Sequence, residues 1–395
     1  MIKKLKILHV HNYHINKGGE DEYIRILKET FEKNGHEVTI YSKNNSEING
    51  YNIFKILNAL LFPIFSIKSY YEVVEIIRKS KPDIVHVHNV FPLLTPSVYW
   101  AFKKHNIPIV QTFHNFRLYC LNGLFLRNNG MICEECQKRS LLCGVIHRCY
   151  RKSLIKSLIL FLTIYINHKI KTFKKIDLYI APSLFVRNKI LELGMQECNI
   201  IHVPHFTNNK LRNVNLHYKN YAIFIGRLST EKGILTLIKA FEGILSITLK
   251  ILGDGPLKDE ILEFIKKKKI NNIEVLGHID GHEKEELLYN SKFLIFPSQC
   301  YEIFGLSIIE SYKCGIPVIA SNIGAPKEIV INNVTGLHFK SKDFIDLRNK
   351  IEILSNDIPL LNQMRLNARE EAKHKYSDLI GYENISRVYN SLISQ

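Results

Sequence analysis

The 395-residue chain lacks any uncharged apolar run of about 18 residues, the length that a membrane-spanning helix needs. Its two longest apolar stretches, NALLFPIFSI and SLIKSLILFLTIYI, are interrupted by Pro63 and Lys156. The first residues, MIKKLKILHVHNYH, break their apolar run with His and Asn, so they lack the pattern of a secretory signal. These absences predict a cytoplasmic chain that touches a membrane only at its surface.

Two common ligand motifs are also missing. No Asp-x-Asp occurs in the sequence, so we expect no catalytic divalent metal held by such a pair. Gly18 and Gly19, after the first apolar run, do not follow the Gly-x-Gly-x-x-Gly pattern of dinucleotide-binding proteins. They still let backbone approach an anion at a helix N-terminus, although an ordinary tight turn explains them equally well.

Acidic residues are scarce in the front half of the chain. Residues 1–205 carry 29 Lys and Arg against 15 Asp and Glu, a balance of +14, whereas residues 206–395 carry 25 against 22, a balance of +3. A basic half favours partners that bear phosphate, namely nucleic acid, anionic membrane or phosphorylated substrates. A general bias towards lysine is the alternative explanation.

Short β-branched runs alternate with helical stretches throughout the chain. Runs such as LKILHVHN and DIVHVHN predict buried parallel strands, and GEDEYIRILKETFEKNG predicts a helix that Gly35 ends. The alternation restarts after the Asn-rich segment HFTNNKLRNVNLHYKN, which we interpret as a linker. We therefore predict an α/β fold with two doubly wound, Rossmann-like domains, residues 1–205 and 206–375, facing a central cleft. Residues 376–395 are predicted to form a helix that packs back on the first domain.

Ligands of open parallel sheets bind where the strands end. In the second predicted domain, Arg227 and Lys232 of IGRLSTEKG follow such a strand, as does Gly253 of LGDGP. Two cations at the start of a helix can clamp a diphosphate, although spacing alone favours two solvated surface charges. Gly253 by itself indicates only a loop.

Two carboxylates bracket the start of another predicted helix, in YEIFGLSIIE. Glu302 precedes the helix start near Gly305, and Glu310 lies inside the helix. The N–H groups of Phe304, Gly305 and Leu306 would form an anion site between two acceptors of hydroxyl hydrogen bonds. A polyhydroxylated phosphate ester is the ligand that best matches the order of carboxylate acceptor, anion site and carboxylate acceptor. The alternative is one glutamate that interacts with the helix dipole and one that is solvated.

The segments IGRLSTEKG, LGDGP, PSQCYEIFGLSIIESYKCGIPVIASNIGAPKEIV and TGLHF together resemble the retaining glycosyltransferases of family 4, which have the GT-B fold. The resemblance implies that residues 206–375 bind a nucleotide sugar, most readily a UDP- or GDP-sugar, and that residues 1–205 form the acceptor side. It also implies that Glu302 holds the hydroxyls of the donor sugar and Glu310 the ribose. ESYKCG and GAPKEIV depart from the family pattern, which has small residues and a double glycine there.

The same resemblance assigns further roles. Arg227 and Lys232 match the pair that binds the donor diphosphate, and Gly18 and Gly19 match a loop that faces the phosphates. His114, in QTFHN, matches a histidine near the reaction centre, although a strand-end histidine bonded to backbone is an alternative. The expected catalytic residues are therefore His114, Arg227, Lys232 and Glu302. The resemblance implies retaining transfer of a sugar to an acceptor hydroxyl, in polysaccharide, lipopolysaccharide or glycolipid synthesis. A hydrolase or epimerase of the same fold is the alternative.

The predicted first domain contains a cysteine-rich insert, residues 120–149. Cys120, Cys133, Cys136 and Cys149 form a C-x12-C-x2-C-x12-C pattern. Because disulfides are rare in the cytoplasm, we predict a structural zinc site, with packed or redox-active thiols as the alternatives. A zinc module in a basic protein also raises a rival function, nucleic-acid binding. The insert lacks the clustered aromatic and Arg residues suited to base stacking, so we expect no nucleic-acid partner.

An apolar helix with basic ends is predicted from about Arg151 to Lys175. Such a helix can lie in a membrane interface with its basic ends near anionic headgroups, or it can simply cover the sheet. Together with the basic front half, it favours a saccharide acceptor that is lipid-linked or close to the inner face of the plasma membrane.

Overall fold

The computed structural model describes residues 4–14, 18–46, 64–208 and 210–394. These residues form two compact α/β units, each built on a six-stranded parallel sheet. The first unit comprises residues 1–128, 133–204 and 381–395, and the second comprises residues 129–132 and 205–380. The prediction of two doubly wound α/β domains is therefore confirmed, whereas their roles as acceptor side and donor side stay a prediction.

The sheet of the first unit has the strand order β2-β1-β3-β4-β5-β6. β2 and β3 lie on opposite sides of β1, so the direction of growth reverses after β2, as in doubly wound folds. All six residues of its β3 are buried, as expected of a strand covered on both faces. The elements of this unit are β1 Lys6–Tyr13, α1 Gly19–Lys33, β2 Glu37–Asn44, α2 Ile67–Ser80, β3 Ile84–Asn89, α3 Ser97–Lys104, β4 Ile109–Thr112, α4 Glu135–Lys138, α5 Leu142–Ile146, α6 Leu154–Lys169, β5 Leu178–Ala181, α7 Leu184–Glu192 and β6 Ile200–His202.

The sheet of the second unit has the order β12-β11-β10-β7-β8-β9, so that strand growth reverses between β7 and β10. Helices cover both faces, and each face has its own apolar core. The elements that follow are β7 Tyr221–Ile225, α8 Ile234–Phe241, β8 Thr248–Leu252, α9 Lys258–Lys267, β9 Ile273–Gly277, α10 Gly281–Tyr289, β10 Leu294–Phe296, α11 Leu306–Lys313, β11 Val318–Ser321, α12 Pro326–Ile329, β12 Gly336–Phe339, α13 Phe344–Asn356, α14 Ile358–Lys375 and α15 Asp378–Ile393.

The last helix, α15, belongs to the first unit from Gly381 onwards. The Tyr382 hydroxyl lies 2.8 Å from Nε2 of His36, and the Tyr389 hydroxyl lies 2.7 Å from Nδ1 of His86. Both tyrosines and both histidines are buried, so each polar group in this contact has a partner.

Two local features differ from the sequence-based expectations. The apolar helix is shorter than predicted, because α6 ends at Lys169 and a separate 3₁₀ turn covers Thr172–Lys175. β12 was not predicted as a strand. It begins with Gly336, and only glycine fits there, because a Cβ atom would lie 1.9 Å from the Val318 carbonyl oxygen. No helix within the described ranges is long and apolar enough to cross a membrane, and most of the run NALLFPIFSI lies outside those ranges.

Candidate active site

The loops that follow β7 and β8 in the second unit lie backbone against backbone. The Gly226 N–H donates a hydrogen bond to the Leu252 carbonyl oxygen at 3.0 Å. Gly253 has a φ of +152°, and a Cβ atom there would lie 1.9 Å from the Gly226 carbonyl oxygen. Gly253, predicted to contact the donor, is therefore needed already for the packing of these two loops.

A glycine at the start of α8 brings Lys232 to Glu302. Gly233 has a φ of +70°, and a Cβ atom there would lie 1.9 Å from the carbonyl oxygen of Pro297, just after β10. Only glycine lets the helix begin so close to that strand. The Lys232 Nζ then donates to Oε1 of Glu302 at 2.7 Å, and the Ser298 hydroxyl donates to the same oxygen at 2.6 Å.

Lys232 and Glu302 form a largely buried ion pair, with side chains 29% and 15% exposed. Burial disfavours the charged ammonium, but the Glu302 carboxylate and other nearby acidic groups together outweigh burial, so the pKa of Lys232 is raised. Burial, with the same carboxylate, raises the pKa of the neighbouring Cys300 thiol well above its usual value. At neutral pH the site therefore holds one fixed cation and one uncharged thiol.

The second carboxylate, Glu310 on α11, is buried and has its own lysine. The Lys284 Nζ, on α10, donates to Oε1 of Glu310 at 2.9 Å. Sequence reasoning missed Lys284, because GHEKEELLY is a charged helix in which nothing marks the one lysine that turns inward. A lysine fixed at this carboxylate leaves the other carboxylate oxygen as the acceptor for a ligand hydroxyl.

The N-terminus of α11 lies between the two glutamates. Gly305 is its N-cap and offers no side-chain cap, and a Cβ atom there would lie 2.7 Å from Cδ1 of Ile308. In the described parts of the chain, no hydrogen bond uses the N–H groups of Phe304, Gly305 or Leu306. Together with the helix dipole, these unused donors suit an anion. Binding of an anion at this position stays a prediction.

The loop after β11 supports the backbone of Glu302. Ala325 donates its N–H to the Glu302 carbonyl oxygen at 3.1 Å. Gly324 has a φ of +65°, and a Cβ atom there would lie 2.9 Å from the Glu302 nitrogen. The alanine of GAPKEIV is fully buried beside these contacts, so this departure from the family pattern is accommodated without loss of Glu302.

Arg227, the other predicted diphosphate ligand, stands apart from this network. It is exposed after β7, and among the described residues its guanidinium has no hydrogen bond or ion pair. The structure thus brings Lys232 to Glu302 but leaves Arg227 as a solvated cation, whose role in diphosphate binding stays a prediction.

In the first unit, His114 follows β4 and lies beside β3. Its Nε2 is 2.9 Å from Nδ1 of His88, so a side chain and not backbone alone holds it. Burial lowers the pKa of His114 to about 4, although the Glu20 carboxylate acts in the opposite direction. A small cavity of about 20 Å³ is lined by His88, His114, Asn115 and Arg117, among others. His114 is therefore a neutral imidazole at physiological pH.

The start of α1 is more acidic than the sequence reading assumed. The Gly18 N–H donates to Oδ2 of Asp21 at 2.9 Å, and Oδ1 of Asp21 lies 2.7 Å from Nε2 of His11. Burial raises the pKa of Glu20, but nearby histidines outweigh it and lower that pKa to about 2. The negative charge of Glu20 and the Asp21 carboxylate that already accepts from the Gly18 N–H oppose an anion at this N-terminus. The assignment of Gly18 and Gly19 to donor phosphates therefore stays a prediction.

The cysteines of the insert are free thiols. Among the described residues, one group of three potential metal ligands has its donor atoms within 4.8 Å of one another, and it contains no cysteine. Cys136 nevertheless lies near enough to Cys120 and Cys149 for their charges to interact; burial and these thiols raise its pKa to about 12. The zinc site stays a prediction.

The two Rossmann-like sheets define a two-domain α/β protein. Cationic and carboxylate side chains and a helix N-terminus lie at the strand ends of the second sheet, where open α/β sheets usually bind ligands. Two family models match the chain: Glycosyltransferase Family 4 over residues 17–210, and Glycosyl transferases group 1 over residues 207–371. The chain therefore belongs to the family 4, group 1 glycosyltransferases, and the predicted GT-B fold is confirmed.

Known proteins resemble different lengths of the chain. An uncharacterized glycosyltransferase of Methanocaldococcus jannaschii is 33% identical over 173 residues, 44% of this chain and 48% of that protein. The capsular polysaccharide biosynthesis glycosyltransferase CapM of Staphylococcus aureus is 29% identical over 227 residues, 55% of this chain and 59% of that protein. The matched region thus spans only about half of either relative. HepE of Anabaena, solved with UDP and glucose, matches 98% of this chain and 100% of its own, with a TM-score of 0.67 and 17% identity.

Proposed function

We propose that this chain transfers a sugar from a nucleotide-sugar donor to an acceptor hydroxyl, with retention of configuration, in the synthesis of a surface glycan. The observation that carries the proposal is the Lys232–Glu302 ion pair beside the unused N–H groups at the start of α11. Family membership supports the reaction class, and CapM supports a capsular or related product. The complexes of HepE with UDP and glucose and with UDP-glucose favour UDP over GDP as the carrier.

The chemistry follows from where charge develops. Transfer breaks the bond between the anomeric carbon and the diphosphate oxygen and forms a bond to the acceptor oxygen, whose proton passes to the leaving diphosphate. Lys232, Arg227 and the N-terminus of α11 would stabilise the negative charge that grows on that diphosphate. Glu302 would accept hydrogen bonds from the sugar and Glu310 from the ribose. Since no carboxylate nucleophile is assigned, we propose attack on the same face as the departing phosphate.

Nucleotide binding is the first test of this function. We expect one class among UDP, GDP, ADP, CMP and their sugars to raise the melting temperature of the wild-type chain. Glu310→Gln keeps the shape of the side chain but weakens its hydrogen bonds to ribose, so affinity should fall about tenfold. Glu274→Gln is the matched control, because Glu274 forms an ion pair with Lys250 on neighbouring strands of the same unit.

The outcomes separate the alternatives. Absence of a shift with every nucleotide, from a folded chain, would contradict the proposal. Turnover of a nucleotide sugar that acceptors do not increase would instead favour a hydrolase or epimerase of the same fold.

We propose in addition that Cys120, Cys133, Cys136 and Cys149 hold a structural zinc ion. Thiolates are the ligands that tetrahedral structural zinc prefers, and these four belong to one compact unit. Zinc content of the purified chain tests this, with loss expected in Cys136→Ser and not in Cys198→Ser, a control at an exposed cysteine. A metal-free wild-type chain would end the proposal.

The acceptor is proposed to lie at an anionic membrane, reached from the cytoplasm. One face of α6 packs inward through Leu160 and Ile164, whereas large apolar side chains on its other face are exposed. The exposed residues recur at helical spacing: Ile155, Leu158, Leu162 and Tyr165. A groove of about 620 Å³ near the end of α6 adds basic and aromatic groups: Trp100, Lys103, Lys104 and Lys175. An apolar stripe with lysines beside it suits a membrane surface that carries phosphate.

A charge placed in the exposed stripe should weaken this contact. We expect the wild-type chain to sediment with phosphatidylglycerol vesicles at low salt. Ile155→Glu should reduce binding about tenfold or more, because it puts a charge where an exposed apolar side chain would enter the membrane interface. Ile353→Glu, an exposed isoleucine on α13 of the other unit, is the control. A wild-type chain that ignores these vesicles at low salt would refute the membrane contact.

A further inference from the structure

One stretch of the chain carries positive charge with almost no acidic residue to balance it. Residues 84–176 contain 14 Lys and Arg but only two acidic residues, Glu134 and Glu135. Both glutamates already have cationic partners, since Glu134 lies 2.8 Å from the Lys189 Nζ and Glu135 lies 2.5 Å from the Arg127 guanidinium. The remaining cations of this stretch therefore have no carboxylate of their own within it.

Two of these cations lie against one tyrosine. The guanidinium carbon of Arg117 is 5.6 Å from the centroid of the Tyr150 ring, and that of Arg151 is 5.5 Å from the same centroid. Within the described part of the chain, neither guanidinium has a hydrogen bond or an ion pair. Nε of Arg117 is buried without an acceptor, although a buried donor normally has one. Arg117, Tyr150 and Arg151 are called the arginine cluster below.

The loop after β4 fixes the backbone of Arg117. The Arg117 N–H donates to Oδ1 of Asn115 at 3.0 Å. The preceding residue, Phe116, is fully buried and donates its N–H to the Gly123 carbonyl oxygen at 2.9 Å. Its ring packs against that of Phe125, with centroids 4.9 Å apart. The guanidinium is therefore placed before a ligand arrives, which lowers the entropy that binding costs.

The turn before α6 fixes the other half of the arginine cluster. The Tyr150 N–H donates to the Ser157 hydroxyl oxygen at 3.0 Å, and the Ser157 hydroxyl donates to the Ser153 carbonyl oxygen at 2.7 Å. Arg151 and Lys152 both have left-handed backbone, with φ of +52° and +55°. Residues other than glycine keep that conformation only where surrounding contacts impose it, and such residues concentrate at ligand sites.

The chemistry of the arginine cluster suits a phosphate group. A guanidinium presents paired N–H donors that match two phosphate oxygens. The 16-residue helix α6 begins at Leu154, so the positive end of its dipole lies close in sequence to Arg151. A phosphate carries more negative charge than a carboxylate, so it gains more from two guanidinium groups whose charge is unpaired within the described ranges.

The apolar stripe of α6 starts at the same end of the helix. Leu154 and Ile155 are 49% and 64% exposed and follow Arg151 within four residues. A lipid phosphate would place its headgroup at the arginine cluster and its chain along the stripe. The stripe therefore favours a phosphate that is attached to a lipid over one that is free in solution.

We propose that Arg117 and Arg151 bind a phosphate group of the acceptor, and that Tyr150 is a positioning residue that holds the two guanidinium groups beside each other. All three residues belong to the first unit. This inference rests on the proposed function and names the class of its acceptor: a saccharide that carries phosphate, with a lipid as the favoured attachment.

Binding of farnesyl phosphate to the full chain, measured by calorimetry below the micelle concentration, tests the proposal without a donor. Farnesol is the uncharged comparison, and glucose 6-phosphate is the soluble saccharide comparison. Arg117→Gln and Arg151→Gln each remove one guanidinium, and circular dichroism checks that both variants fold. Arg78→Gln is the matched control, because Arg78 is an exposed arginine on α2 of the same unit. Tyr150→Phe keeps the ring and Tyr150→Leu removes it.

We expect the affinity for farnesyl phosphate to fall about tenfold in Arg117→Gln and in Arg151→Gln, because each loses charge-assisted hydrogen bonds. It should be unchanged in Arg78→Gln and Tyr150→Phe, and should fall about threefold in Tyr150→Leu, where the cation–π contacts are lost. Equal affinity in the wild type and both arginine variants, or equal affinity for farnesol and farnesyl phosphate, would overturn the proposal. Glucose 6-phosphate that binds as tightly, with the same losses, would support the phosphate site and make the acceptor a soluble saccharide.

The nucleotide panel tests the proposed function separately. A chain that binds farnesyl phosphate through the arginine cluster but binds no nucleotide would contradict the proposed function and keep the phosphate site. A chain that binds a nucleotide but shows no loss in the arginine variants would overturn this inference alone.

Discussion

Lys232→Met is expected to lower kcat/KM about 100- to 1,000-fold, the loss that follows removal of one charged group from a leaving-group site. The physical reason is the position of Lys232 in a largely buried ion pair with a raised pKa, where its positive charge is fixed and poorly screened. The chain should stay folded, since the Ser298 hydroxyl still donates to the Glu302 carboxylate. Initial rates with the nucleotide sugar that binds in the thermal-shift panel provide the measurement.

Lys258→Met is the matched control for this variant. Lys258 also lies in the second unit and also forms an ion pair, with Asp254 at 2.8 Å, but that pair is exposed. Its loss should change kcat/KM by less than about twofold, because exposed pairs contribute little. Equal losses in the two variants, or a Lys232→Met enzyme that keeps more than about a tenth of the activity, would show that Lys232 has no special role.

Gly233→Ala is expected to destabilise the second unit by about 3 kcal/mol or more, and to lower transfer at the same time. The new Cβ atom would lie 1.9 Å from the Pro297 carbonyl oxygen at a φ of +70°, so α8 must move away from the end of β10. Lys232, the preceding residue, would move with it and lose Glu302. Denaturant unfolding with a probe in the second unit measures the stability change.

Gly243→Ala separates the steric effect from backbone strain. Gly243 also has a positive φ, +89°, but a Cβ atom there would meet nothing within 4 Å. Its replacement should therefore cost only the left-handed conformation, about 1 kcal/mol. If both variants lost the same stability, the contact between Gly233 and Pro297 would not be the constraint that positions Lys232.

Short-range sequence patterns were sufficient to predict most of the helices and strands. The β-branched run LKILHVHN became β1 from Lys6 to Tyr13, and the helix predicted to end before Gly35 ends at Lys33. These elements follow from side-chain periodicity and turn residues, which act over a few positions. β12 escaped prediction because four residues that begin with glycine carry too little periodicity to mark a strand.

For the candidate site, the sequence predicted which carboxylates lie at the helix start but not which side chains contact them. YEIFGLSIIE placed Glu302 and Glu310 on either side of a helix start, and α11 begins between them. Their partners were not predictable, since Lys232 is 70 residues from Glu302 and Lys284 is 26 residues from Glu310. No spacing rule links side chains on different strand ends, because their contact depends on how adjacent loops pack.

The sequence by itself therefore determined the α/β class, the two-domain organisation and the chemistry present at the strand ends, since these depend on residue type and short-range order. The tertiary structure alone decided which charges pair, that Arg227 stays solvated while Lys232 is held, and that His88 contacts His114 although 26 residues separate them. The physical reason is that hydrogen bonds and ion pairs act over about 3 Å, and only the register of parallel strands and the close approach of their loops brings such distant residues within that reach.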